Sequence, residues 1–146
     1  MGSNASNLRL IEGGLHVDTR GVVAFVNDFN FKGVDRAYMI RSHRSHEQRG
    51  WVGHRRDQKW FWVIRGEVLM AVVEPDNWEQ PASHIPVTRF ILSAAKPQVL
   101  HVPAGYATGS VNLSTDALLM VYSSGKIDEA KTDDYRFPVD TWPIID

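Results

Sequence analysis

Between residues 49 and 68 the chain reads RGWVGHRRDQKWFWVIRGEV, and most of its chemistry-bearing side chains gather there. An unperturbed imidazole titrates near ~6.5, so His54 can take up a proton at neutral pH. The cations Arg49, Arg55, Arg56 and Lys59 surround it, and Trp60, Phe61 and Trp62 follow. Side chains alternate along a strand, so Val52 and His54 share one face. After a turn at 55–58, Lys59 and Phe61 share a face, and Trp60 and Trp62 take the other. Two readings follow. Either the polar cluster is a solvated turn between strands, or it hangs over a pocket whose wall the aromatics build. The paired Arg55 and Arg56 read as solvated. Cysteine is absent, which excludes thiolate catalysis, disulfides and cysteine metal sites. His43, His46, His84 and His101 follow no metal-ligand spacing and read as surface or turn histidines.

The elements that must position these residues are short. With 146 residues, 43% of them apolar and 23% charged, the chain suits one domain with a proper core. Sixteen Lys and Arg against 17 Asp and Glu leave a formal charge of −1, which argues against a nucleic-acid surface. No run approaches the roughly 18–20 apolar residues of a membrane helix. The start MGSNASN, residues 1–7, is small and polar; it reads as an expression remnant and not a signal peptide, leaving 8–146 as a single domain. A cytoplasmic location is the expectation. Runs rich in Val, Ile and aromatics predict strands near 8–11, 15–17, 21–27, 36–42, 50–53, 60–65, 67–74, 85–93, 98–102, 108–113 and 117–123. Residues 60–64 and 68–73 flank Arg65-Gly66-Glu67, a pattern that predicts a hairpin. The segment 75–84 reads as a connection, and 126–134 as a turn or two of helix without an apolar face. Phe137, Trp142 and Ile144 are expected to pack back onto the body. Many short strands with turn signals between them predict an all-β sandwich or small barrel.

The stretch VPAGYATGSVN, residues 102–112, resembles the second half-motif of the cupin barrels, Pro-x-Gly-x-x-z-x-x-x-Asn. Position z, commonly a metal-binding histidine there, is Thr108 here. The first half-motif expects His-x-His and a glutamate; this chain offers Val52 and His54, without the glutamate. One histidine does not make a three- or four-ligand site, so a metal-free site without cofactor is expected. Five motifs then occur in order: Asp18-Thr19-Arg20-Gly21, Arg49-Gly50, Lys59 followed by WFWVIRGEV, the Pro103–Gly109 corner, and Trp142-Pro143. Together they resemble the dTDP-4-dehydrorhamnose 3,5-epimerase family and its smaller sugar-nucleotide ketoisomerase relatives. The similarity is greatest to short members that end in Asp-Asp-x-Arg-x-Pro, here Asp133 to Pro138.

The resemblance implies a cupin double-stranded β-helix (jelly roll), usually a homodimer that exchanges N-terminal strands. It implies action on a dTDP-linked 4-keto-deoxysugar in polysaccharide biosynthesis, by proton abstraction next to the ketone. Lys59 matches the family lysine near the sugar oxygen, Arg49 the arginine of Arg-Gly-x-His, and Arg20 the arginine placed to meet the nucleotide. The position of the family base is Val52, which takes no proton. His54 falls on the second histidine of the ketoisomerase pattern Arg-Gly-x-His-x-His and is the substitute base. The family's acid tyrosine follows the last long strand, where this chain has Ser123 to Ile127 and no tyrosine; Tyr122 stands slightly earlier. Catalytic roles therefore fall to His54 and Lys59, and substrate-binding roles to Arg20, Arg49, Tyr106, Thr108 and Tyr122. The contrasting reading is a non-catalytic sugar-nucleotide or carbohydrate-binding cupin that has lost its base. A metal-dependent oxygenase is disfavoured by the missing histidine cluster.

Overall fold

The computed structural model describes residues 7–146; residues 1–6, most of the segment read as an expression remnant, lie outside the described residues. Each of the eleven expected strands is present, with ends displaced by up to three residues. Two antiparallel five-stranded sheets face each other. The first is ordered β1 (Arg9–Glu12), β9 (Gln98–Val102), β6 (Lys59–Arg65), β11 (Leu118–Ser123), β4 (Arg36–Arg41). The second is ordered β12 (Tyr135–Phe137), β5 (Gln48–His54), β10 (Tyr106–Asn112), β7 (Glu67–Val73), β8 (Thr88–Ser93). A separate hairpin joins β2 (Gly14–Asp18) to β3 (Gly21–Phe25). A single helical turn, α1 (Ile127–Ala130), precedes β12 and buries none of its residues.

The expected hairpin around Arg65-Gly66-Glu67 is not formed. β6 pairs with β9 and β11, whereas β7 pairs with β8 and β10, so Gly66 carries the chain from one sheet to the other. Its φ of 75° lies in the left-handed region, and an added Cβ would stand 2.2 Å from the Ser114 hydroxyl oxygen. A glycine thus serves a sheet crossing as readily as a two-residue turn. β5 and β6 are likewise divided between the sheets. Their inner faces therefore oppose each other across the sandwich.

Period-two patterning explains the layers. Phe61, Val63, Leu100, Leu119 and Val121 of the first sheet meet Val68, Met70 and Val72 of the second in the central core. Burying such side chains stabilises by about 1.5–3 kcal/mol each. Residues of opposite parity, Trp51, Ala71, Val73, Ala107 and Val111, form a second core outside the second sheet, sealed by Trp142 and Ile144. There the Trp51 and Trp142 rings meet edge to face at 5.2 Å, and Trp51 Nε1 donates to the Trp142 carbonyl at 3.1 Å. Phe137 packs against the same cluster, so the C-terminal segment docks as its apolar residues require. Outside the first sheet, Val26 and Phe29 cover Trp60 and Val99. The hairpin β2–β3 leaves Val17, Val22 and Val23 exposed.

Candidate active site

A cavity of about 450 Å³ opens between the sheets. Its second-sheet wall is built by Arg49, Val52 and His54 of β5 with Thr108 and Ser110 of β10. Thr108 and Ser110 share the cavity face by alternation, and the pairing slips between them by one extra residue in β5, so that Arg49 and Val52, three apart, both face the cavity. Facing them from the first sheet are Arg36 and Tyr38 of β4 and Lys59 of β6, while Asp134 and Arg136 close one side. His54 and Lys59 come from different sheets, yet each strand's parity turns them into one space.

His54 is held in a defined state. Its Nδ1 lies 2.7 Å from the Asp133 backbone carbonyl, which only accepts, so Nδ1 carries the proton and Nε2 keeps the lone pair. Burial pushes the imidazole below its ordinary value; the carbonyl bond opposes this, and the charge of Lys59 reinforces it. The ring is neutral at pH 7 and able to accept a proton. The corner that precedes β10 completes its seat: Gly105, at a φ of 97°, donates its backbone N–H to the His54 carbonyl at 2.8 Å.

Asp133 anchors the turn that connects β5 to β6. Its carboxylate, 2% exposed as a residue, accepts the backbone N–H groups of Arg55, Arg56 and Asp57 at 2.7, 2.9 and 2.8 Å. Lys59 has its own counter-ion in Asp57, with Nζ 3.1 Å from Oδ2 and both side chains almost fully buried. Burial pushes the Asp57 carboxyl up. The Ser123 hydroxyl, the Lys59 charge and the Gly125 N–H pull harder and bring it down to about 2. A second N–H of Lys59 donates to the Tyr38 hydroxyl at 3.3 Å. An ammonium carries three donors, so one remains for a ligand in the cavity.

Residues 6–139 match the family described as FdtA: WxcM-like, C-terminal. The chain belongs to this family.

Several solved structures share the fold of this FdtA-family chain. The RmlC epimerase of Mycobacterium tuberculosis superposes with a TM-score of 0.73 at 17% identity, covering 93% of this chain and 71% of that one. The 3,4-ketoisomerase QdtA of Thermoanaerobacterium thermosaccharolyticum, as a mutant in complex with TDP-4-keto-6-deoxyglucose, gives 0.70 at 19% identity over 90% and 88% of the two chains. The 3'-monoepimerase ChmJ of Streptomyces bikiniensis, in complex with dTDP-quinovose, gives 0.70 at 20% identity over 88% and 68%. No curated protein matches the chain in sequence. The expected cupin jelly roll is therefore the fold of this FdtA-family member.

Of the residues singled out from the sequence, the structure gathers His54, Lys59, Arg49 and Thr108 around the cavity and leaves three outside its lining. Tyr122 has the parity opposite to Val121 and Ser123, so it points out of the sandwich and packs 5.2 Å from both Phe29 and Phe31. Tyr106 points inward but is buried in the central core. Arg20 sits at the tip of the β2–β3 hairpin, where its guanidinium donates to Asp18 at 2.7 Å. Sequence reasoning missed Arg36, Tyr38, Asp57, Asp133 and Arg136. For Arg36 and Tyr38 the signal was the alternation of RAYMIR in β4, which sets both on the face of Ile40. Among the described residues no group of three or more His, Cys, Asp or Glu is arranged to hold a metal ion.

Proposed function

We propose that this FdtA-family chain is a sugar-nucleotide epimerase or isomerase acting on a dTDP-linked 4-keto-deoxysugar. The observation that carries this reading is His54, neutral and with only Nε2 free, lining the same cavity as a buried ammonium. Nε2 takes the proton from the carbon next to the ketone. The electron pair moves to the carbonyl oxygen, and the remaining N–H of Lys59, whose side chain is almost fully buried, stabilises the enolate. Arg36, Arg49 and Arg136 face the cavity with Asp134 as their one acidic neighbour there, which suits a diphosphate. The neighbours in complex with TDP- and dTDP-sugars support the same substrate class. The place of such a reaction is deoxysugar and polysaccharide biosynthesis.

The active species in this proposal is a homodimer. Exposed Val17, Val22 and Val23 on the β2–β3 hairpin and Met39 on the outer face of β4 supply an apolar surface for a second copy, and docking the hairpin would bring Arg20 towards bound nucleotide.

The test is incubation with TDP-4-keto-6-deoxyglucose in D₂O, followed by proton NMR. Wild type is expected to exchange the hydrogen next to the ketone. His54→Asn and Lys59→Met are each expected to lose about 10²–10³ in rate while still folding and binding dTDP. Binding without any exchange by wild type would replace the enzyme with the nucleotide-sugar-binding module, the reading that Val52 in the family base position favours.

A further inference from the structure

A base and a cation make an enolate, but epimerisation also needs a donor that returns a proton to the opposite face of the carbon. The phenol of Tyr122 points out of the sandwich and that of Tyr106 is buried in the core, so neither tyrosine singled out from the sequence lines the cavity. Tyr38 does.

Its position has two properties that bear on proton transfer. First, Lys59 Nζ stands 3.3 Å from the Tyr38 hydroxyl oxygen. An ammonium donates and never accepts, so the oxygen is the acceptor and its own O–H stays available to another group. The same ammonium stands 5.2 Å from the ring centroid and is poised to hold the negative charge that a phenol acquires when it gives up its proton. Asp57 fixes that ammonium, and Ser123, Ser124 and Gly125 fix Asp57, with donor distances of 2.7 to 3.0 Å. Second, Tyr38 belongs to β4 in the first sheet, whereas His54 belongs to β5 in the second. A sugar ring lying in the cavity has the imidazole on one wall and the phenol on the other.

We propose that Tyr38 is the general acid of this site, and that its place opposite His54 makes the reaction an epimerisation, inverting one carbon beside the ketone. This assignment rests on the sugar-nucleotide reading above. The steps balance. His54 Nε2 takes the proton, the C–H bond breaks and the electron pair forms the enolate. The carbonyl re-forms as carbon takes the Tyr38 proton on the far face, breaking the O–H bond. Tyrosinate then regains a proton from solvent and the imidazolium releases one, so no oxidant or second substrate is consumed.

The experiment separates removal of the proton from its return. Wild type and Tyr38→Phe are incubated in D₂O with TDP-4-keto-6-deoxyglucose, and NMR follows deuterium entering unreacted substrate and the appearance of epimer. Because phenylalanine keeps the ring, urea unfolding is expected to match wild type. Tyr38→Phe is expected to keep deuterium exchange within about 10-fold of wild type, through His54 alone, while epimer formation falls by about 10² or more. Epimer formation at the wild-type rate would overturn the assignment. Equal loss of exchange and epimer would also overturn it, by making Tyr38 a support for Lys59 and not a donor. If wild type yields only the 3,4-keto isomer, the sugar-nucleotide reading stands and the acid assignment falls. If wild type shows no exchange at all, the sugar-nucleotide enzyme itself fails and takes the acid with it.

Discussion

Replacing Asp133 with alanine should damage both stability and chemistry, by amounts the hydrogen bonds set. Three backbone N–H groups lose a charged acceptor, those of Arg55, Arg56 and Asp57. The Asp57 N–H is buried and has no water to replace the carboxylate, which costs about 2–3 kcal/mol. The other two are partly buried and regain water, so each costs roughly 0.5–1 kcal/mol. The sum is about 3–5 kcal/mol, a large share of the 5–15 kcal/mol that typically holds a domain together. For a chain of this size that lowers Tm by roughly 6–20 °C. Urea unfolding followed by tryptophan fluorescence measures it directly. The chemical effect has a separate origin: the backbone carbonyl of residue 133 sets the His54 tautomer, and the loosened segment no longer holds it at 2.7 Å. Measured well below the variant's Tm, kcat should fall about 10-fold or more while dTDP binding changes little. Asp133→Asn, keeping one acceptor oxygen, should fall between. A loss under about 1 kcal/mol with full activity would refute the idea that this carboxylate organises the turn.

Further outcomes follow from the same site. Activity should be flat through neutral pH and decline as pH falls below 6.5, because His54 is held below its ordinary value and protonation removes the base; a pH profile of kcat/KM that declines at neutral pH or above would contradict it. Asp57, held at about 2 against an ordinary 3.8, contributes stability that is fully present above the ordinary value and lost as pH falls from about 4 to about 2. Acid unfolding of Asp57→Asn should therefore be flatter across that window than wild type. Elemental analysis of protein purified without a metal column should show far less than one equivalent of Fe, Mn, Ni or Zn, since Val52 and Thr108 occupy positions where cupins place ligands. Light scattering at micromolar concentration should give twice the 16.5 kDa chain mass, and charged substitutions at Val22 and Val23 should return it to one.

What the sequence made legible was parity. Alternation placed Val52 and His54 on one face of β5, and Lys59 and Phe61 on one face of β6, because side-chain direction is a property of one strand alone. Sheet membership is not local. Arg65-Gly66-Glu67 has the composition of a hairpin turn, and only pairing with strands far along the chain decides that β6 and β7 part company. The same limit hid the partners. Tyr38 lies 21 residues from Lys59, and Asp133 lies 79 residues from His54, and neither belongs to a motif that advertises the contact. Tyr122 was misdirected for a simpler reason: its nearness to the family's acid position carried no information about which way β11 would turn it.

The docked C-terminal segment has a consequence for how the protein is made. Translation delivers β5 and β10 well before Asp133, β12, Trp142 and Ile144, the groups that orient His54 and seal the second core. Until they emerge, one edge of β5 has no strand beside it and the Trp51 face stands open to water. A nascent chain can thus assemble most of its two sheets on the ribosome and still carry an imidazole with no fixed tautomer. In the proposed enzyme, orientation of the base and protection from aggregation then depend on one segment, and a chain truncated before Asp133 should be largely folded but inactive and adhesive.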